Sequence, residues 1–189
     1  MTTPDKLPDN IILCGFMGTG KTTVGQILAS RLGWQFADTD QMIEQRVGKT
    51  VNSIFEQGGE SAFRTMESAV AVDLVHLHNT VIATGGGMVL RPENYRHLEQ
   101  AGFVVCLDAP ITEIAQRLAA MQDRPLLAQA DLLTRITELM AARAPAYARI
   151  QQHIDSAGQN PLEVAEAILA LYHKTTALSP SQQSERKSG

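Results

Sequence analysis

Basic charge, cysteine and long apolar runs are all scarce in this chain. Lysine and arginine number 16 against 20 aspartates and glutamates, for a formal net charge of -4. Without a basic excess there is no electrostatic footprint for a nucleic-acid backbone, so a small-molecule partner is the better expectation. Cysteine occurs only at Cys14 and Cys106, each inside an apolar run. Such a pair excludes a disulfide framework and reads as buried free thiols, which fits a reducing, cytoplasmic setting. The apolar run at residues 11–14 is far too short to span a bilayer, and residues 1–10 are polar with Pro4 and Pro8. Neither a membrane span nor a targeting leader is therefore expected. No internal repeat, heptad pattern or large apolar patch is visible, and a monomer is expected. The chain's 189 residues, 44% of them hydrophobic, suffice for one domain with a substantial core.

Short apolar runs alternate with helical spacings along the whole length. Strands are expected at 11–14, 34–37, 81–83, 103–107 and 153–155. Helices are expected at 22–32, 41–46, 51–55, 60–78, 92–101, 112–121, 131–144 and 161–173. Gly58-Gly59 breaks the third from the fourth, Pro92 opens the fifth, and Asp131 is a candidate N-cap. The strands lack polar alternation, which suits a parallel sheet covered on both faces. The expected architecture is an α/β domain of three layers, α/β/α, with ligands at the carboxyl ends of the strands. It should occupy residues 1–174, with a substrate-binding segment at 38–67 and a lid at 121–131. Residues 175–189 are rich in Ser, Gln and Lys and read as a disordered tail.

One motif carries chemistry by itself. Gly15-Phe16-Met17-Gly18-Thr19-Gly20-Lys21-Thr22 has the G-x-x-x-x-G-K-T spacing of a P-loop, between an expected strand and an expected helix. Glycines let backbone N–H groups wrap an anion, and the helix N-terminus adds a favourable dipole. Lys21 then reaches the β and γ phosphates, and the Thr22 hydroxyl is a candidate Mg²⁺ ligand. No Asn-Lys-x-Asp occurs, which argues against a GTPase, and the chain is short for a motor or transporter ATPase.

A small-molecule kinase on this loop also needs an acidic residue near Mg²⁺, an acceptor pocket and mobile arginines. Asp38 and Asp108 each end an apolar strand. Pattern alone slightly favours Asp108, whereas Asp38 has Asp40 two residues on. Arg124 precedes Pro125 in the candidate lid, where a guanidinium can swing over phosphate. Arg64 and Arg143 fall on expected helices, where a solvated surface arginine is the usual occupant. His76 and His78 are spaced i, i+2 on a helix and point apart, so they are read as surface residues. Met66, Met88 and Met140 read as core or gap-filling residues.

Taken in order, these residues resemble the shikimate kinase family from about Asn10 to Leu171. The resemblance rests on the loop through Thr23, then Asp38-Thr39-Asp40, then Ile54-Phe55 with Gly59-Glu60 and Phe63-Arg64-x-x-Glu67. It continues with Gly85-Gly86-Gly87, Arg124-Pro125-Leu126-Leu127 and Arg143-x-Pro145-x-Tyr147. It implies a P-loop kinase fold like that of the nucleoside-monophosphate kinases. The implied activity is transfer of the γ-phosphoryl of ATP to the 3-hydroxyl of shikimate, with Mg²⁺. It assigns Asp40 to the substrate hydroxyls and as a candidate proton acceptor, and Arg64 and Arg143 to the shikimate carboxylate. Gly86 allows close backbone approach to the substrate, and Arg124 touches the phosphoryl from the lid. Gly18, Thr19, Gly20, Lys21, Thr22 and Thr23 hold the phosphates, and Asp38 organises Mg²⁺, which tips the choice away from Asp108. Arg117 and residues 155–161 are the implied adenine elements, with Gln159 standing where some members carry arginine. The rival on the same scaffold is a gluconate-type or nucleoside-monophosphate kinase. The rival from another class is a nucleotide-binding regulatory protein without catalysis.

Overall fold

The computed structural model describes residues 9–120 and 132–176. Strands β1 (Asn10–Gly15), β2 (Gln35–Asp38), β3 (Thr80–Ala83), β4 (Phe103–Asp108) and β5 (His153–Asp155) form one parallel sheet in the order β2-β3-β1-β4-β5. Side chains alternate across a strand with period two. Ile11 and Leu13 of β1, with Val81, Val105 and Leu107, therefore face α1 (Lys21–Leu32) and α7 (Pro161–Thr176). Ile12, Cys14, Ile82 and Cys106 face the opposite layer. That layer holds α2 (Thr39–Val47), α3 (Val51–Asp73), α4 (Pro92–Ala101), α5 (Ile111–Ala120) and α6 (Leu132–Tyr147). The expected three-layer α/β architecture is the observed one.

Burial on both faces holds for β1 and β3, every residue of which is buried, and for most of β4, whose last residue Asp108 is exposed. It fails at the edges. In β5, His153 and Asp155 are exposed, because an outermost strand has one neighbour and little cover. Asn10, one residue before the strand expected at 11–14, opens β1 and belongs to the core. Its side-chain amide donates to Leu77 O (2.6 Å) and Ala101 O (2.8 Å), and its Oδ1 accepts from Thr80 N (3.0 Å). A buried polar group is tolerated when its bonds are made, and here they pin the strand's entry.

The expected break at Gly58-Gly59 is a kink inside α3, where Gly59 takes φ 68, ψ −176. The following helix stops at Asp73, earlier than expected, and tightens into a 3₁₀ turn at Leu74–His76. Helix α6 runs on through Pro145, past its expected end. Proline costs that turn one backbone bond. Two tertiary bonds hold it nevertheless: Tyr147 Oη donates to Gly86 O and Arg149 Nη2 to Val89 O, each at 2.6 Å. Helix α7 reaches Thr176, whose hydroxyl donates to Tyr172 O at 2.8 Å, so the first two residues of the expected tail are helical. Residues 177–189 and the expected lid at 121–131, with the candidate cap Asp131, lie outside the described residues. Among the described residues, no helix is long and apolar enough to cross a membrane. Both cysteines are free and buried. Met88 is buried in the core, Met66 and Met140 pack against it, and His76 and His78 are exposed.

Candidate active site

The carboxyl ends of β1, β2 and β3 open onto one cleft of about 380 Å³. Its floor is the loop after β1. Gly15 has φ +132, and a Cβ there would sit 2.4 Å from the Leu107 carbonyl oxygen of β4, so no other residue fits without moving the sheet. Thr19 Oγ1 donates to Phe16 O at 2.9 Å and braces the loop from within. Gly20 (φ 94) is the N-cap of α1 and brings no capping side chain, so the first-turn N–H groups stay directed into the cleft. Lys21 is the first helical residue, and its buried Nζ donates to Gly15 O (2.9 Å) and Phe16 O (2.8 Å). Burial pushes its ammonium down from 10.5 to about 8. A cation so poorly solvated gains strongly from an anion placed against the loop. Gly18, Thr22 and Thr23 also line the cleft.

The wall opposite Lys21 carries the acidic groups. Asp38 ends β2 and caps α2, accepting from Asp40 N at 3.0 Å. Its other oxygen accepts from Thr22 Oγ1 at 3.3 Å, which ties the strand end to the phosphate loop. Asp108 is placed differently. Its side chain is 51% exposed and engaged by His153, and it does not line the cleft. Of the two, Asp38 is the one that lines the cleft. Asp40 points at the glycine turn after β3: a Cβ on Gly85 would meet Asp40 Oδ1 at 2.5 Å and Glu67 Oε1 at 3.0 Å. Gly85 N donates to Thr39 Oγ1 at 2.9 Å, locking the turn to the start of α2.

Two arginines flank that turn. Arg64 Nη1 would lie 1.8 Å from a Cβ on Gly87, so the guanidinium lies flat against the glycine. It donates to Glu67 Oε2 at 2.6 Å and to Glu60 Oε1 at 2.8 Å. Burial disfavours the charge on Arg64, but the bonds to Glu67 and Glu60 outweigh it and raise its pKa. Glu67 is wholly buried, and burial raises its carboxyl above the usual range against the opposing pull of Arg64. Its Oε1 has no hydrogen-bond partner among the described residues. Arg143 approaches from α6, its Nη1 3.3 Å from a Cβ on Gly86 and its guanidinium 5.4 Å from the Phe16 ring centroid. Neither arginine is the solvated surface residue that its place on a helix suggested.

At the other end of the cleft, Arg117 Nη1 donates to Gly18 O at 3.1 Å, and its guanidinium pairs with Glu113. Glu113 Oε2 also accepts from Gly158 N at 3.4 Å, so one carboxylate joins α5 to the β5–α7 loop. Gln159 lines the cleft while its Nε2 donates to Asp155 O at 2.8 Å. Arg124 lies outside the described residues. The structure thus brings the expected phosphate residues, Asp38, Asp40 and Arg117 around one opening and sets Arg64 and Arg143 against the glycine turn that borders it. Sequence reading passed over Glu113, named Tyr147 only as part of a motif, and included Ser156 only within the implied adenine segment 155–161. The i, i+4 spacing of Glu113 and Arg117 was the signal available for Glu113.

A family model described as shikimate kinase matches residues 17–173. The shikimate kinase of Thermodesulfovibrio yellowstonii is 43% identical over 165 residues, 87% of this chain and 95% of that protein. A solved structure described as shikimate kinase from Acinetobacter baumannii in complex with shikimate superposes with a TM-score of 0.84 at 38% identity, covering 91% of this chain and 96% of that one. A gluconokinase from Sinorhizobium meliloti covers 91% of this chain and 95% of its own at a TM-score of 0.60 and 17% identity, a likeness of fold alone.

Proposed function

The chain belongs to the shikimate kinase family, and from that membership we propose that its cleft moves the γ-phosphoryl of ATP onto the 3-hydroxyl of shikimate, giving shikimate 3-phosphate and ADP. One observation carries the reading on this chain's own residues. Lys21 and Asp40 line a single opening together with Gly85 and Gly86, and the guanidinium groups of Arg64 and Arg143 stand against Gly87 and Gly86 of that same turn.

The residues divide the work by charge. Backbone N–H groups from Gly18 to Thr23 and the Lys21 ammonium hold the phosphates, the cation opposing charge on the β and γ oxygens. Arg64 and Arg143, presented from two helices, grip the shikimate carboxylate, and this fixes which hydroxyl faces Asp40. The acceptor oxygen forms its bond to the γ-phosphorus as the bond to the bridging oxygen of ADP breaks. The hydroxyl proton passes to the Asp40 carboxylate. Thr22 Oγ1 and Asp38 Oδ2, 3.3 Å apart, are hard oxygen donors of the kind Mg²⁺ takes. They would hold Mg²⁺, which would supply positive charge to the phosphate oxygens. Arg124, from the segment outside the described residues, supplies a further positive charge to the transferring phosphoryl. Arg117 and the loop carrying Gln159 receive the adenine.

Among the described residues, the exposed large apolar side chains Val72, Leu133 and Leu162 sit on three different helices, which supports a monomer. Two free thiols support a cytoplasmic location.

A coupled ADP-release assay with shikimate, gluconate and nucleoside monophosphates tests the reading. Stimulation by shikimate alone is expected. Stimulation by gluconate or a monophosphate without shikimate would assign the site to the rival kinases, and none by any acceptor would point to a nucleotide-binding protein without catalysis.

A further inference from the structure

On the outer edge of the sheet, apart from the phosphate loop, three side chains of metal-binding type converge. In parallel register Cys106 lies beside His153 and Asp108 beside Asp155. Period-two alternation then puts Cys106, Asp108 and His153 on one face. The Asp108 carboxylate stands between the other two, its Oδ2 2.6 Å from His153 Nδ1 and its Oδ1 3.6 Å from Cys106 Sγ. One donor atom from each residue fits within a span of 4.8 Å. Cys106 is buried, whereas the side chains of Asp108 and His153 are 51% and 36% exposed. The thiol is thus the back of a notch whose mouth is open to water.

The far nitrogen of the imidazole decides what the notch requires. Nε2 lies 3.0 Å from the Ile150 carbonyl oxygen, which can only accept, so that nitrogen carries the proton. In a neutral ring Nδ1 then presents a lone pair to a carboxylate. Two lone pairs so close repel unless a cation joins them, either a proton or a metal ion. An Nε2–H bonded to a backbone carbonyl is also the usual support of a metal-bound histidine, fixing its tautomer and orientation. The third donor selects among metals. Sulfur, nitrogen and carboxylate oxygen together suit a borderline-soft ion and do not suit Mg²⁺ or Ca²⁺. Burial first, and the Asp108 charge next, hold the Cys106 thiol protonated, and a coordinated metal displaces that proton.

We propose that Cys106, Asp108 and His153 form a three-ligand site for a divalent transition ion of the Zn²⁺ class, which clasps β5 to β4 and leaves a fourth position to water. The clasp would steady a weak part of the sheet, because β5 runs only from His153 to Asp155 and pairs with β4 alone. It would also reach the nucleotide end of the cleft. Ser156, which follows β5 and lines that cleft, donates from both N and Oγ to Asp108 O at 2.8 Å.

The test is a titration of the full chain, saturated with Mg²⁺ to fill hard oxygen sites, with Co²⁺ as a spectroscopic stand-in for Zn²⁺. A single equivalent should bind with tetrahedral d–d bands and a thiolate-to-cobalt charge-transfer band, and Zn²⁺ should displace it. Cys14→Ser should leave the spectrum unchanged, and Cys106→Ser should remove the charge-transfer band. His153→Gln, at an exposed position that tolerates change, should weaken binding by about tenfold or more. It should also abolish any rise in Tm on adding Zn²⁺. No saturable binding would mean that a proton alone joins His153 to Asp108. Binding without a sulfur band, or unchanged in His153→Gln, would place the ion elsewhere. Either result overturns the proposal.

Discussion

Replacing Gly87 with alanine should injure the acceptor site while sparing the fold. Gly87 has φ −101, ψ −6, a backbone conformation open to any L residue, so the substitution brings no intrinsic strain. The new methyl would lie 1.8 Å from Arg64 Nη1 and 2.3 Å from Arg64 Cζ. Ordinary contact needs about 3.5 Å, so the guanidinium must retreat by roughly 1.7 Å. That displacement breaks the 2.6 Å bond to Glu67, a charge-assisted bond within a largely buried pair. Such a bond contributes about 1.5–3 kcal/mol, and misplacing a positioning group by roughly 1 Å can cost about a hundredfold in rate. Steady-state kinetics on Gly87→Ala should therefore show kcat/KM for shikimate lowered by about 10- to 100-fold. KM for ATP should stay within about twofold, because the phosphate loop is untouched, and thermal unfolding should report an intact fold. An unchanged kcat/KM for shikimate would refute the assignment of Arg64 to the acceptor carboxylate. An equal loss for ATP would mean that the turn is disturbed as a whole.

Other outcomes follow from the same geometry. Asp40→Asn should lower kcat by about 10²–10⁴-fold while isothermal titration finds ATP binding largely intact; equal loss of both would make Asp40 structural. Lys21 is depressed by burial from 10.5 to about 8, so kcat/KM for ATP should decline as pH rises through about 8. Lys21→Arg, which does not titrate there, should be less active but lack that alkaline limb. Because the unfolded state binds the Lys21 proton more tightly, this residue's share of stability rises between about pH 8 and 10.5. Chemical denaturation of Lys21→Met should show that rise diminished. Tyr147→Phe removes the 2.6 Å bond to Gly86 O, worth about 1 kcal/mol, and should raise KM for shikimate about fivefold with KM for ATP unchanged.

The phosphate site could be read from sequence because its chemistry is local. Eight consecutive residues, Gly15 to Thr22, encode both the backbone conformation and the charges, and flanking apolar runs set the strand and helix around them. The same holds for the break at Gly59 and the strand at 153–155. The choice between Asp38 and Asp108 was not local. Both lie at the carboxyl ends of apolar strands, and their partners separate them: Thr22 for Asp38, 16 residues away, and His153 for Asp108, 45 residues away. Pairings at such distances are set by strand order, which hydrophobic spacing does not reveal.

Tertiary contacts overrode local rules in the same way elsewhere. Asn10 falls outside the strand expected at 11–14, yet its three side-chain bonds bury it as the first residue of β1. The helix expected over 131–144 continues through Pro145, held by bonds from Tyr147 and Arg149 to the loop after β3 that local spacing does not show. Arg64 and Arg143 looked like solvated helix residues; both are drawn to one turn only because α3 and α6 pack on the same side of the sheet.

The central claim is that the acceptor is shikimate and that its hydroxyl receives the γ-phosphoryl. Phosphorus NMR of a mixture of the protein, Mg²⁺, ATP and shikimate tests it at the level of the bond formed. The γ resonance should vanish as ADP and one new phosphate-monoester signal grow in equal amounts, with the monoester coupled to the proton on C3 of the shikimate ring. Growth of inorganic phosphate in place of the monoester, or a monoester coupled to another ring position, would contradict the account.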